Sequence, residues 1–297
     1  MNNELSRRLR GRVRQSRKML FSEVNEQVNF ALDLIRTSSI PKEIACRSTS
    51  DSFELLILAS NHDLPLALCN IENMRKLYGG KLIKTIVVTP EYPECAVPPD
   101  IEIVTDDDLL QNPKIIKCLK KFGSRASWMR QQYIKSFMVH SSKNPVLILD
   151  ADTFLIVPIS WHASGEQILL VSTAEYHTPY TIHASKFLGV KMPALNFVSH
   201  VQLQFPSIVS EIYSSDFNSG WIRWAESSRK FGEDSPASEF QTYGGYVVSK
   251  YGSQLSLYIP NHQLFDGQQI TLDNFKVELN KISSDLVTIG NKTQMRL

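Results

Sequence analysis

The 297-residue chain lacks several features that would assign it to a class at once. No window holds the roughly 18 consecutive apolar residues that a membrane span needs, and no apolar run of signal-peptide type follows the basic N-terminal residues. Internal repeats and low-complexity tracts are also absent. The few cysteines form no CxxC pair of the kind that marks zinc and redox sites; they are Cys46, Cys69, Cys95 and Cys118. We therefore expect a cytoplasmic protein whose thiols are reduced and incidental.

The small net charge of +2 hides a basic N-terminus. Residues 1–20 carry seven basic residues against one acid, a net charge of +6, so the rest of the chain carries −4. A solvated extension is the preferred interpretation of this segment. Apolar residues lie between the arginines at roughly helical spacing, so peripheral contact with anionic lipid at the inner face of the membrane is the alternative. No aromatic residues interleave with the basic ones as a stacking platform, so no nucleic-acid partner is expected.

Alternating apolar patterns beyond residue 50 predict an α/β fold. The predicted elements are a strand at Phe53–Ala59, a helix at Pro65–Tyr78, strands at Ile83–Thr89 and Ile101–Val104, a helix at Trp128–His140 and a strand at Pro145–Leu149. Such alternation implies a mostly parallel central sheet. We expect three parts: a basic helical extension with a linker over 1–50, one catalytic domain over 51–270, and a C-terminal tail over 271–297. Beyond Phe154 the patterns are irregular, and this half is expected to build the acceptor side.

A predicted buried strand runs directly into two carboxylates in VLILDAD, residues 146–152. Asp150 and Asp152 repel each other at a strand end unless a cation shares them, and burying unpaired charge is costly. Mg²⁺ or Mn²⁺ prefers oxygen ligands and leaves positions open for substrate phosphates. The motif therefore favours a metal site for a nucleoside diphosphate, although two acids can also cap a turn or a helix.

Four stretches together form a recognisable pattern: Trp128–Lys135 (WMRQQYIK), Leu147–Thr153 (LILDADT), Asn196–Phe205 (NFVSHVQLQF) and Ser238–Val247 (SEFQTYGGYV). Over residues 53–262 the chain resembles the nucleotide-sugar glycosyltransferases of the GT-A fold, and more closely a bacterial family of such proteins with uncharacterised substrates. The resemblance implies a Rossmann-like GT-A domain, Mn²⁺ or Mg²⁺, and a nucleotide-sugar donor. The implied acceptor is a glycan or a lipid-linked glycan in cell-surface glycan synthesis.

The resemblance also implies roles on the donor side. Arg130 would offer a basic group to the donor, because the corresponding helix of GT-A enzymes packs beside the nucleotide. Asn61 and Asp63 follow the first strand, where such folds contact base and ribose, although both are also typical turn and N-cap residues. Ala151 lies within the metal motif and is assigned to the donor site. His262 would complete the metal shell, as a late histidine does in several relatives.

On the acceptor side, the resemblance implies that Glu239 is the general base of an inverting transfer, with Asp234 as the other candidate. His200 is assigned to the acceptor pocket, although a lone histidine among apolar residues is often a core residue. Tyr243 begins a Tyr-Gly-Gly-Tyr segment that is expected to turn and to let the acceptor approach closely. Trp161, Trp221 and Trp224 suit either sugar stacking or packing.

Three other functions are considered. A haloacid-dehalogenase-type phosphohydrolase also has a strand followed by DxD, but it needs Thr or Val two residues after the second Asp, where this chain has Phe154. A nucleotidyltransferase needs a Gly-rich basic loop after its first strand, which Ser60–Pro65 is not. A catalytically silent module that binds glycan or serves as a scaffold is the alternative outside enzymes.

Overall fold

The structure is a computed structural model that describes residues 28, 29, 31, 52–163, 166–172, 177–229, 237–266 and 282–290. In these ranges the strands are β1 (Phe53–Leu58), β2 (Leu82–Thr89), β3 (Ile101–Thr105), β4 (Val146–Asp150), β5 (Thr153–Leu155), β6 (His162–Ala163), β7 (Glu166–Leu170), β8 (Val201–Gln204), β9 (Leu255–Tyr258), β10 (His262–Asp266) and β11 (Leu286–Gly290). The helices are α1 (Leu64–Tyr78), α2 (Asp106–Leu109), α3 (Pro113–Lys120), α4 (Ala126–Ser141), α5 (Thr178–Leu188), α6 (Pro206–Tyr213), α7 (Phe217–Ser228) and α8 (Glu239–Tyr251).

A five-stranded sheet lies at the centre, with the strand order β3-β2-β1-β4-β8. Strands β1 to β4 run parallel, and β8 pairs antiparallel with β4. The two middle strands, β1 (FELLIL) and β4 (VLILD), are apolar along nearly their whole length because both of their faces are covered. The predicted α/β class with a mostly parallel central sheet is therefore confirmed.

Two smaller sheets complete the described part of the fold, with the orders β10-β11-β5 and β6-β7-β9. The central strand of the first, β11, comes from the range that the sequence analysis treats as a C-terminal tail. Its residues Leu286, Val287 and Ile289 are buried. The hydroxyl groups of Thr153 and Thr288 lie 2.8 Å apart, which joins β5 to β11 next to Asp152. Residues 286–290 thus belong to the folded body, and the domain limits at 51 and 270 stay predictions.

Local signals explain where several helices begin. Helix α2 starts with a capping box, in which the Thr105 hydroxyl accepts from the backbone N–H of Asp108 and the Asp108 carboxylate accepts from that of Thr105. The three acids Asp106–Asp108 form the first turn of this helix. At the start of α8, the Ser238 hydroxyl accepts from the backbone N–H of Gln241.

The core packs on both faces of the central sheet, and its largest members are aromatic. Trp161, Trp221 and Trp224 are all buried. The Trp224 indole N–H donates to the Thr242 hydroxyl at 3.0 Å. Since no ring face of these tryptophans is open to solvent, packing accounts for them and a sugar cannot stack on them.

The expected N-terminal extension falls almost entirely outside the described residues. Within residues 1–50, positions 28, 29 and 31 are helical, and Ala31 is buried against the core. The basic residues at positions 7–18 are not among those described. Within the described ranges, no helix combines the length and the apolar character that crossing a membrane requires.

Candidate active site

A cavity of about 870 Å³ opens at the carboxyl ends of β1 and β4. Open parallel sheets bind ligands at this edge, where the loops that follow the strands converge. Leu58 and Asp63 line the cavity from the end of β1, and Asp150, Ala151 and Asp152 line it from the end of β4. The sheet therefore places the two acids of the metal motif next to the segment that follows the first strand.

Both carboxylate oxygens of Asp150 already accept a hydrogen bond from a basic side chain. Lys135 Nζ donates to Oδ1 at 2.8 Å, and His200 Nδ1 donates to Oδ2 at 2.9 Å. The Asp150 side chain is 26% exposed. Burial raises the pKa of Asp150, but the charge of Lys135 and the hydrogen bond from His200 outweigh it and hold that pKa well below its usual range. Asp150 is thus an ionised carboxylate near neutral pH.

His200 reaches Asp150 because of the backbone just before β8. The His200 carbonyl accepts from the Asp150 backbone N–H at 2.9 Å, which extends the pairing of β4 with β8 to this residue. Its φ of 62° lies in the left-handed region, which non-glycine residues seldom adopt and which is often found at functional sites. Burial lowers the pKa of His200, but the hydrogen bond to Asp150 and the charges of Asp150 and Asp152 raise it above its ordinary value.

Lys135 is the buried cation of the cavity, with a side chain only 7% exposed. Its ammonium lies between two acids, 2.8 Å from Asp150 and 3.2 Å from Glu239, and 4.6 Å from the centre of the Phe240 ring. Burial lowers the pKa of Lys135, but the charges of Asp150 and Glu239 raise it above its usual range. The lysine is therefore charged and electrostatically links the end of β4 to the start of α8.

Glu239 is the first residue of α8 and is 3% exposed. Its backbone N–H donates to Gln132 Oε1 at 3.0 Å, which joins α8 to α4. The Lys135 ammonium lies 3.2 Å from Glu239 Oε1, at ion-pair distance. Burial raises the pKa of Glu239 despite the opposing charge of Lys135. Glu239 is therefore a buried carboxylate in the lining of the cavity, and its charge is balanced by Lys135.

The structure brings most of the predicted site residues together. Asp63, Ala151, Asp150, Asp152, His200, Glu239 and His262 all line the one cavity. The alternative base, Asp234, lies outside the described residues.

Three predicted residues lie elsewhere. Asn61 is exposed and donates to Glu91 at 2.9 Å, and Arg130 pairs with Asp106 at 3.0 Å on the outer side of α4. Tyr243 is buried in α8, where its hydroxyl accepts from the Phe205 backbone N–H at 3.0 Å. None of the three lines the cavity.

The expected Tyr-Gly-Gly-Tyr turn is wrong, because residues 243–246 lie inside α8. A Cβ at Gly244 would collide with the Phe197 ring, and one at Gly245 would collide with the Met192 side chain. These glycines let the 192–197 segment pack closely on the helix. They have no part in admitting an acceptor.

A divalent metal fits this site only in part. Within the described residues, no group of three His, Cys, Asp or Glu side chains is close enough to hold an ion. His262 lies at the cavity, but its Nε2 is hydrogen-bonded to the Thr288 hydroxyl at 2.9 Å. Mg²⁺ at phosphate-transfer sites is usually bound by one or two carboxylates together with substrate phosphates. Asp150 and Asp152 fit that arrangement, in which a diphosphate supplies the remaining ligands.

Aromatic side chains form part of the cavity wall. Trp128 at the start of α4 and Tyr180 in α5 have ring planes 11° from parallel and centroids 6.2 Å apart. His177 meets Tyr180 edge to face at 4.3 Å. All three line the cavity. We call these three residues the aromatic wall.

Sequence reasoning missed Lys135 and the aromatic wall. The signal for Lys135 was present, since Trp128, Gln131, Gln132 and Lys135 recur at the i, i+3, i+4, i+7 spacing of one helix face. All four line the cavity, whereas Arg130 lies on another face. The partner of Trp128 in α5 had no comparable signal in the sequence.

No protein-family model matches the chain, and no curated protein does. Several solved structures are similar to it. They include the mannosyltransferase Ktr4p of S. cerevisiae in complex with GDP, at 14% identity over 79% of this chain and 78% of the other, with a TM-score of 0.48. The galactosyltransferase LgtC in complex with donor and acceptor sugar analogues has 11% identity over 80% and 87%, with a TM-score of 0.45. Apo mouse xyloside xylosyltransferase 1 has 11% identity over 83% and 99%, with a TM-score of 0.44.

Proposed function

We propose that this protein is a glycosyltransferase that moves a sugar from a nucleoside-diphosphate donor to a hydroxyl group of a glycan acceptor. One observation carries the proposal. A single cavity joins two strand-end carboxylates, Asp150 and Asp152, to a buried carboxylate, Glu239, through the ammonium of Lys135. This arrangement provides both a place for a diphosphate with its counter-ion and a group that can take a proton.

The donor is proposed to lie along the carboxyl ends of β1 and β4. In this proposal Asp63, which precedes α1 and lines the cavity, contacts the ribose, and Ala151 lies between the two acids. The diphosphate then lies beside Asp150 and Asp152. These two carboxylates, together with oxygens of the diphosphate, would hold Mg²⁺ or Mn²⁺. Such an ion stabilises the charge that builds on the leaving diphosphate. Lys135 offers N–H donors to the same phosphate oxygens.

Glu239 is proposed as the general base of an inverting transfer. Its carboxylate accepts the proton of the acceptor hydroxyl while the hydroxyl oxygen bonds to the anomeric carbon of the donor. The bond from the anomeric carbon to the phosphate oxygen breaks, and the nucleoside diphosphate leaves with that electron pair. Burial supports the role, because a carboxylate with a raised pKa is a stronger base than an exposed one.

The aromatic wall is proposed to receive the acceptor. Trp128 precedes Lys135 by seven residues on one helix face, about 10 Å along the axis of α4. With the nucleotide over β1 and the phosphates at the end of β4, the wall borders the remaining part of the cavity. Ring faces are electron-rich and attract the C–H groups of a sugar ring. The assignment to a glycan or lipid-linked glycan of the cell surface comes from the family resemblance.

Thermal denaturation with nucleoside diphosphates and nucleotide sugars, with and without Mn²⁺ or Mg²⁺, tests the proposal. A ligand at a hundred times its Kd should stabilise the protein by about 2.7 kcal/mol. We expect one base to be preferred, and transfer to be lost in Asp152→Asn. Product analysis with a stabilising donor would then show the anomeric configuration.

The silent glycan-binding module predicts a different result. It would be stabilised by a glycan but by no nucleotide in the presence of metal. The absence of stabilisation by every nucleotide would overturn the proposed enzyme.

A further inference from the structure

A metal that binds Asp150 needs a free carboxylate oxygen, but Lys135 and His200 already engage both oxygens of this side chain. One oxygen of Asp150 accepts from Lys135 at 2.8 Å and the other accepts from His200 at 2.9 Å. The neighbours of the lysine hold its ammonium beside Asp150. Lys135 extends from the middle of α4, is 7% exposed, and is confined by Glu239 and the Phe240 ring.

We infer that Lys135 competes with the divalent metal for Asp150, so that the metal binds tightly only together with a nucleoside diphosphate. The inference rests on the proposed function and assigns an order of assembly to the site. In this role Lys135 is a positioning residue, and it acts on the metal through Asp150.

Charge balance supports the competition. The acids near the ammonium are Asp150 and Glu239, and His200, which is bonded to Asp150, also feels the charge of Asp152. A dication that reaches Asp150 alone meets a buried ammonium of like charge, in surroundings that screen the repulsion poorly. Among the described residues, no further acid or histidine completes a three-ligand site to offset that repulsion.

A diphosphate changes this balance because it supplies negative charge and acceptor oxygens at the same place. The Lys135 N–H groups then have phosphate oxygens as partners and can release Asp150 Oδ1 to the metal. Glu239, at 3.2 Å, remains a second acid for the ammonium throughout. Metal and nucleotide therefore bind with positive coupling, and each raises the affinity for the other by the same factor.

The test is a titration of the purified chain with Mn²⁺, with and without saturating UDP or GDP. The electron paramagnetic resonance signal of free Mn²⁺ measures how much of the ion is bound. For the wild-type protein we expect weak Mn²⁺ binding alone, and binding at least tenfold tighter with the nucleotide that the protein prefers. Lys135→Met should bind Mn²⁺ alone at least tenfold more tightly than wild type and lose most of the coupling. Lys250→Met is the matched control, since Lys250 lies on α8 and pairs with Glu211 of α6 outside the cavity.

Lys135→Gln serves as a second neutral variant if Lys135→Met does not fold, as judged by circular dichroism. Equal Mn²⁺ affinity of wild type and the neutral variant in the absence of nucleotide would overturn the inference. So would nucleotide and Mn²⁺ binding independently to wild type, an outcome that leaves the proposed function intact. If no nucleoside diphosphate binds at all, with or without Mn²⁺, the proposed function itself fails.

Discussion

Two cations of α4, five residues apart, have opposite surroundings. Arg130 is 40% exposed and pairs with Asp106 on the outer side of the helix. Lys135 is 7% exposed and lies between Asp150 and Glu239 in the cavity. Position on the helix decides the difference, because only the Lys135 face is turned towards the end of β4. A basic residue in a matching motif is therefore not by itself a binding residue, and the helix face must be known.

The largest expected effect comes from the acid beside Lys135. Glu239→Gln keeps the size of the side chain but removes its ability to accept a proton. We expect kcat to fall by about 10²–10⁴-fold, the usual size of a general-base contribution, with little change in nucleotide affinity. Steady-state kinetics with a donor found by thermal shift measure this. A mutant within a few-fold of wild type would contradict the base assignment.

The contrast between the two cations can be measured as stability. Lys135→Met leaves two acids without their shared ammonium, and we expect a loss of about 2–4 kcal/mol in the free energy of unfolding at pH 7. The partial exposure of Asp150 keeps the loss below that of a fully buried pair. Arg130→Met breaks an exposed pair and should cost less than about 1 kcal/mol. Urea denaturation of both variants measures the two losses in the free energy of unfolding. Equal losses would contradict the expected difference between Lys135 and Arg130.

Two histidines, the half-buried His200 and the buried His183, extend the comparison to pH. The pKa of His200 is raised beside Asp150, whereas burial lowers the pKa of His183 to about 4, against a hydrogen bond with the Trp224 carbonyl that raises it. His183 is thus neutral in the folded state but takes up a proton below about pH 6.5 in the unfolded state. Its contribution is fully present above pH 6.5 and is lost as the pH falls towards 4, by about 3 kcal/mol in all. Chemical denaturation at pH 7.5, 6 and 5 should show this loss, and His183→Gln should flatten it.

The smallest expected effect concerns the aromatic wall. Trp128→Ala removes a ring of the wall but leaves Lys135, seven residues further along α4, in place. We expect the KM for the acceptor to rise about tenfold while nucleotide affinity stays the same. An unchanged acceptor KM, or weaker nucleotide binding, would place the acceptor elsewhere in the cavity.

The first half of the fold could be predicted from the sequence because its strands are continuous apolar runs. Helix α4 was expected at Trp128–His140 and spans Ala126–Ser141, and the last predicted strand differs from β4 by one residue at each end. The glycines at 244 and 245 misled the prediction, since glycine is typical of turns. In α8 they are needed for close packing against Phe197 and Met192, a tertiary demand that local patterns do not record.

The site was predictable in part for the same reason. Asp150 and Asp152 were predicted from an apolar strand that runs into two acids, and Glu239 was predicted from the family resemblance. The pairing of His200 with Asp150 could not be derived, because it depends on β8 lying antiparallel beside β4 and on a left-handed backbone at residue 200. The place of Lys135 was derivable from helical spacing, but the motif drew attention to Arg130.

The contact between Thr153 and Thr288 has a consequence for how the molecule is made. These residues are 135 positions apart, and they join the strand that follows Asp152 to one of the last strands described. Contacts of such long sequence separation form late in folding. During synthesis, β5, which follows Asp152, can pair with β11 only after residues 286–290 have left the ribosome. Until then a nascent chain has its central sheet but not a finished cavity, so ligand-dependent protection from protease should appear only once these residues have emerged.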